Sequence, residues 1–235
     1  MSGDAKWLKI SRQSMARLGG EWITAVSDLW NVVGRSWTVF ERNTEELIGL
    51  LNRPANNPRL MMQLMSDDDG ETATYWAEFD QRLHNEMASA GSLVDHTRRL
   101  TKQCETDFPK FVTEYRNLNA NVAHMNEAVF LSDLRNYLLH FGVPPVVQTL
   151  NISRIDGSQV ADHIIHLSAQ KLLEWPKWGS GAGQYLESFP DRNGPVVRTD
   201  VVAYAIAMQK LYHWLFEQRQ VMSSAENIPY RFRPD

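Results

Sequence analysis

The spacing of apolar residues constrains this chain most. Tyr75, Phe79, Leu83, Met87, Ala90, Val94, Thr97, Leu100, Cys104 and Phe108 recur at steps of three or four. Only an α-helix places such positions on one stripe. Arg82, Asn85, Arg98, Arg99 and Lys102 fall on the opposite side, which therefore faces water. One helix cannot bury its own stripe, so other helices must pack on it. Trp22, Val26, Leu29, Trp30, Val33, Trp37 and Phe40 supply a second stripe of the same period, and its three tryptophans read as core.

The rest of the chain reads in the same way. Thr44–Leu51 predicts a separate helix, stopped by Asn52-Arg53-Pro54. A loop from Pro54 to Pro58 leads to a short helix over Arg59–Met65. Asp67-Asp68-Asp69-Gly70 marks a turn at a helix start. It is not a calcium loop, because Thr72 stands where the sixth position needs glycine. Pro109 kinks or ends the longest helix, and Phe111 to Tyr115 continue its apolar signal. The next helix is expected from Asn119 or Asn121 to Phe141, with a core face of Phe130, Leu134, Leu138 and Phe141. Gly142, Pro144 and Pro145 terminate it.

After Pro145 the period changes. Leu150 and Ile152 alternate with polar residues, and Asp156-Gly157 precedes Val160–Leu167. Two such runs around Asp-Gly are a hairpin signal. Ser168 is placed to cap a short helix over Ala169–Glu174, and Trp175-Pro176 breaks it. A short turn containing Tyr185 and Leu186 follows, and Ser188 to Pro195 read as a loop. A last helix from Thr199 or Asp200 carries Val201, Ala205, Met208, Leu211, Tyr212 and Leu215 on one face. The end, Asn227 to Asp235, reads as frayed. The expected fold is thus mainly all-α. It is an antiparallel bundle of long helices in a single domain over residues 1–235, with a small β-hairpin inserted near residues 147–167.

Composition narrows the function classes. The 235 residues are 43% hydrophobic and 22% charged, which excludes wholesale disorder and collagen-like structure. Cys104 is the single cysteine, so neither an intrachain disulfide nor a Cys-based zinc site is available, and a reducing cytosol suits the chain. A formal charge of −4 argues against a general nucleic-acid coat protein but leaves room for a local basic site. Polar residues after Met1 give no export signal. The Trp22–Phe40 stretch carries Asp28 and Arg35 and is too polar to span a bilayer. A cytoplasmic protein with no membrane contact is the expectation.

The chemistry-bearing segment is Leu134-Arg135-Asn136-Tyr137-Leu138-Leu139-His140-Phe141. Asn136 and His140 stand four apart and project from one helical face. Arg135 lies to the side with a long arm. A guanidinium that holds phosphate, a neutral amide and an imidazole that moves protons near neutral pH suit a phosphodiester. The bland alternative pairs Arg135 with Asp133, leaves Asn136 to water and uses His140 to complement the helix end.

This segment resembles the signature of the HEPN superfamily: Arg, a polar residue often Asn, a short spacer, then His. The match falls on Arg135, Asn136 and His140. The break after the His, the hairpin, the Trp-rich short helix and the final aromatic helix are similar to a group of bacterial HEPN-like proteins. The resemblance implies a helical bundle whose motif helix pairs across a homodimer. It implies a metal-independent endoribonuclease that leaves a cyclic phosphate by attack of the 2′-hydroxyl. It also implies defence or toxin–antitoxin work, with an antitoxin or regulatory partner and no cofactor. Residues 1–60 then read as a family-specific N-terminal helical extension.

Weaker RNA-binding candidates are the basic patch Arg98, Arg99 and Lys102, and the terminal Tyr230-Arg231-Phe232-Arg233. His163 and His166 point to opposite faces of the expected strand and cannot share an ion, so no metal site is expected. Gly179, Gly181 and Gly183 do not follow a strand in the dinucleotide-binding pattern. Besides the nuclease, two classes stand: a non-catalytic interaction or regulatory module with the motif at a dimer seam, and a nucleotidyltransferase partner modified at Tyr137 or another hydroxyl.

Overall fold

The computed structural model describes residues 20–66, 69–155, 158–189 and 193–226. Among them run α1 (Gly20–Asn52), a 3-10 turn at Pro54–Asn56, α2 (Pro58–Ser66) and α3 (Asp69–Cys104). Then come α4 (Pro109–Ala123), α5 (Asn126–His140), β1 (Val146–Ile155) and β2 (Ser158–Leu167). The short α6 (Ala169–Leu172), α7 (Ser180–Glu187) and the long α8 (Val197–Glu226) complete the order. The fold is mainly helical with one small antiparallel hairpin.

Cross-helix bonds fix the bundle's directions. Ser36 Oγ meets His96 Nδ1 at 2.7 Å, Thr44 Oγ1 meets Glu86 Oε1 at 2.9 Å, and Arg53 donates to Glu78 at 2.8 and 3.0 Å. Numbers rise along α1 as they fall along α3, so the pair is antiparallel. Trp37 stacks on Tyr212 with centroids 5.2 Å apart, and Arg219 donates to Asn31 at 3.0 Å, so α8 also runs antiparallel to α1. Tyr212 is buried between these helices, its hydroxyl 2.7 Å from Thr97 Oγ1. α4 joins the core where Phe111 stacks on Trp214 at 5.8 Å. Trp30 and Trp37 lie in that core, and Cys104 is fully buried as its stripe requires. The side chain of Trp22 lies outside the described residues.

Three expectations change. α1 is one helix and not two, since neither glycine nor proline separates Phe40 from Thr44. Thr44 does not cap a second helix; its hydroxyl lies 3.0 Å from Phe40 O, the back-bond of a residue inside a helix. The helix expected from Asn119 or Asn121 to Phe141 is two helices, with extended backbone at Met125 (φ −70°, ψ 135°). The turn lets Phe111, Val112, Tyr115 and Val122 of α4, and Phe130 and Leu134 of α5, each reach the core. The short turn around Tyr185 and Leu186 is α7, a full helix from Ser180 to Glu187.

The hairpin pairs Val146 with Leu167 through to Ile155 with Ser158. Asp156 and Gly157, like Asp67 and Asp68, lie outside the described residues. His163, Ile165 and Leu167 are buried while Asp162, Ile164 and His166 are less so, the alternation of a strand with one covered face. Ser168 caps α6 by accepting from Lys171 N. No described helix is long and apolar enough to cross a membrane.

Candidate active site on helix α5

The inner face of α5 is held by an aromatic nest. Phe130, Leu134 and Tyr137 are buried. Tyr137 stacks on Trp178 at 5.7 Å and meets Trp175 edge-on at 5.6 Å, while Trp178 Nε1 donates to Leu172 O at 2.6 Å. Phe141, expected on the core face, is 56% exposed. The helix ends at His140, and φ −120°, ψ −51° at Phe141 carry its ring off the buried stripe. Tyr137 takes the core place instead, which leaves its ring enclosed and poorly placed for modification.

α7 anchors the other side. The Gly179 N–H donates to Asp133 Oδ2 at 2.7 Å. A Cβ at Gly181 would come within 2.9 Å of Val129 Cγ1, so this glycine permits the close approach of α7 to α5. Gly179 and Gly181 thus serve this contact, whereas a Cβ at Gly183 would meet nothing within 4 Å. Asp133 is engaged by Gly179 and is not the partner of Arg135.

The three motif side chains divide. Asn136 and His140 are exposed, one turn apart on the outer face of α5. Leu139, Phe141 and Val143 beside them are 45, 56 and 66% exposed. At about 100° per residue, Arg135 points roughly 140° away from His140. It is half-buried and crosses Gly91 of α3, where a Cβ would come within 2.7 Å of its Nε. That Nε is buried without a hydrogen-bond partner among the described residues.

Arg135 lines a pocket of about 110 Å³ between α3 and α5 with Met87, Gly91, Asp95, Arg98, Ser132 and Tyr204. The structure therefore brings together two residues expected at separate places, Arg135 and Arg98. Arg98 Nη1 donates to Asp95 Oδ1 at 3.0 Å. Arg99 and Lys102 are exposed farther along α3 and do not line this pocket. Neither do Asn136 and His140. Arg231 and Arg233, with Tyr230 and Phe232, lie outside the described residues.

Among the described residues no group of three His, Cys, Asp or Glu gathers to hold a metal ion. His163 Nε2 lies 2.8 Å from Gln148 Oε1, and His166 Nδ1 lies 3.2 Å from Gly194 O on the other side of the strand. Burial holds the His163 imidazole below its usual range, against the attraction of Asp162.

Two carboxyls away from the motif are strongly shifted. Burial pushes Glu86 up to about 8, opposed by a hydrogen bond with Thr44. Thr44 Oγ1 lies within reach of both Phe40 O and Glu86 Oε1, and one hydroxyl hydrogen cannot serve both. A protonated Glu86 donating to Thr44 satisfies the geometry. Burial likewise raises Asp200 to about 7, with the Tyr185 hydroxyl opposing and Glu127 adding to the rise.

Gly91 and Glu86 escaped the sequence reading, though each left a signal. A lone glycine inside a long helical stripe marks a close approach, and Glu86 stands at a core step after Leu83. Ser132 and Tyr204 left none, because only the packing of α5 and α8 on α3 brings them to Arg135.

The chain matches no family model, no curated protein and no solved structure. The HEPN resemblance thus rests on Arg135, Asn136, His140 and the order of elements around them.

Proposed function

We propose that the protein is a metal-independent endoribonuclease of HEPN type, working as a homodimer across the outer face of α5. The observation that carries this reading is the joint exposure of Asn136 and His140 on one helix face, framed by exposed Leu139 and Val143. Helical geometry turns Arg135 away from His140 within one protomer. The HEPN resemblance implies that two copies, related by a two-fold axis, join their Arg135 and His140 sets into one cleft. The apolar residues beside His140 suit such a seam.

In the proposed reaction the RNA 2′-hydroxyl attacks the adjacent phosphorus. The 2′-oxygen–phosphorus bond forms and the bond to the 5′-oxygen breaks. A 2′,3′-cyclic phosphate and a 5′-hydroxyl result. His140 moves a proton, Arg135 stabilises the charge that grows on the phosphoryl oxygens, and Asn136 orients the strand. The cytoplasm, bacterial defence and an antitoxin or regulatory partner follow from the same resemblance. The test is product chemistry. Cleaved RNA should carry cyclic-phosphate ends, and a 2′-deoxy substrate should survive; cleavage of the deoxy strand would refute the mechanism.

The second reading is a non-catalytic interaction module. It is favoured by one observation: Asn136 and His140 do not line the pocket that holds Arg135. In that case the exposed face of α5 serves only to bind a partner.

A further inference from the structure

We propose that the pocket between α3 and α5 is a phosphate subsite for an RNA strand, built by Arg98 and Arg135 and lined also by Ser132 and Tyr204. It deepens the nuclease reading and rests on it for the role of Arg135. Four observations support it. Two guanidiniums from helices 37 positions apart in sequence line one small cavity of about 110 Å³. That is room for several waters or one tetrahedral oxyanion. Asp95 is the only carboxylate among the lining residues, so the pocket carries a net positive charge, and Asp95 tethers Arg98 at 3.0 Å. The Arg135 Nε is a buried donor with no partner among the described residues.

The fourth observation is Gly91. Glycine inside a helix is destabilising relative to alanine. Here any Cβ would strike Arg135 at Nε, Cδ and Cζ, at 2.7, 2.9 and 3.0 Å. The glycine makes the space in which the guanidinium lies. Planar guanidinium forks engage phosphate oxygens in pairs, and hydroxyls add single donors. Arg135 and His140 are separated by about 7.5 Å along α5. They also point about 140° apart, so a strand held in this pocket meets the His140 of a second copy, as the two-copy cleft of the proposed function requires. Arg98 is a binding residue in this scheme, whereas Arg135 meets the reacting phosphate or its neighbour.

The experiment measures binding of a 2′-O-methylated RNA, which cannot be cut, by fluorescence anisotropy across a salt series. Arg98→Ala should weaken binding about tenfold and lower the log–log salt slope by about 0.7, one phosphate contact on a single strand. With cleavable RNA it should raise KM and leave kcat near wild type, as loss of uniform binding does. Arg98 is exposed and paired on the surface, so this variant folds. Gly91→Ala should remain helical by circular dichroism and still lose RNA affinity, because its Cβ displaces Arg135.

The failures are distinguishable. Wild type that binds the uncut RNA through Arg98 but never cleaves keeps the pocket and removes the nuclease reading. Wild type that cleaves while Arg98→Ala keeps full affinity and salt slope overturns the pocket and leaves the nuclease reading intact. Thermal protection by inorganic phosphate, without RNA binding, would mark a small-anion site and overturn RNA as the occupant.

Discussion

Asp133 Oδ2 accepts the backbone N–H of Gly179 at 2.7 Å, and this bond fastens the motif helix to the start of α7. The carboxylate is committed to scaffolding one turn before the residues that carry chemistry. Asp133→Ala should cost about 1 kcal/mol, the usual net contribution of one hydrogen bond. That is about 2–4 °C of Tm for a chain of this size. An unchanged melting curve would show that the bond does not hold α7 in place.

The outer face of α5 is the expected dimer seam. Wild type should scatter light as twice 27.0 kDa at micromolar concentration. Leu139→Glu should convert it to a species of 27.0 kDa without loss of helix, because Leu139 is 45% exposed and lies outside the core cluster. Wild type at the single mass would contradict the seam.

Glu86 gives a pH prediction with a definite sign. Its folded value is raised from 4.5 to about 8, chiefly by burial. Between those values the folded chain keeps a proton that the unfolded chain has released. The stability it contributes is full below 4.5 and is lost as pH rises toward 8. Glu86→Gln removes this titration and keeps a donor toward Thr44. Its Tm advantage over wild type should be small at pH 5 and grow by several degrees toward pH 8.5. An advantage that stays constant across that range would mean Glu86 does not titrate as described.

The fold was legible where a period ran unbroken. The stripes from Tyr75 to Cys104 and from Val201 to Leu215 need only helical spacing, and the alternation around Leu150 needs only a strand; Phe108, read as the end of the first stripe, instead precedes α4. Junctions without glycine or proline were not legible. The continuation of α1 through Thr44 and the break at His124–Met125 depend on which core each segment can reach. Phe141 misled for a related reason, because the helix ends one residue before its turn comes round. The motif itself is visible as three letters. Its division into an exposed pair and an arginine in a pocket is tertiary, set by Gly91 and Arg98 on another helix.

The division of labour predicts graded losses. Arg135→Lys should be severely impaired although the charge remains, because Lys lacks the fork that engages two oxygens. Asn136→Ala should lose less than His140→Ala, since an amide orients but moves no proton. Single-turnover cleavage of a short RNA reads both. An Arg135→Lys enzyme that cuts like wild type would remove the bidentate role.

The most direct test is one incubation of RNA, in EDTA, with wild type and with His140→Ala. His140 is exposed at the end of α5, so the variant should keep the circular dichroism of wild type. Wild type should cleave in the chelator, and His140→Ala should be slower by about 10²–10⁴. Cleavage by the folded variant at the wild-type rate, or wild-type activity that needs added magnesium, would contradict the account.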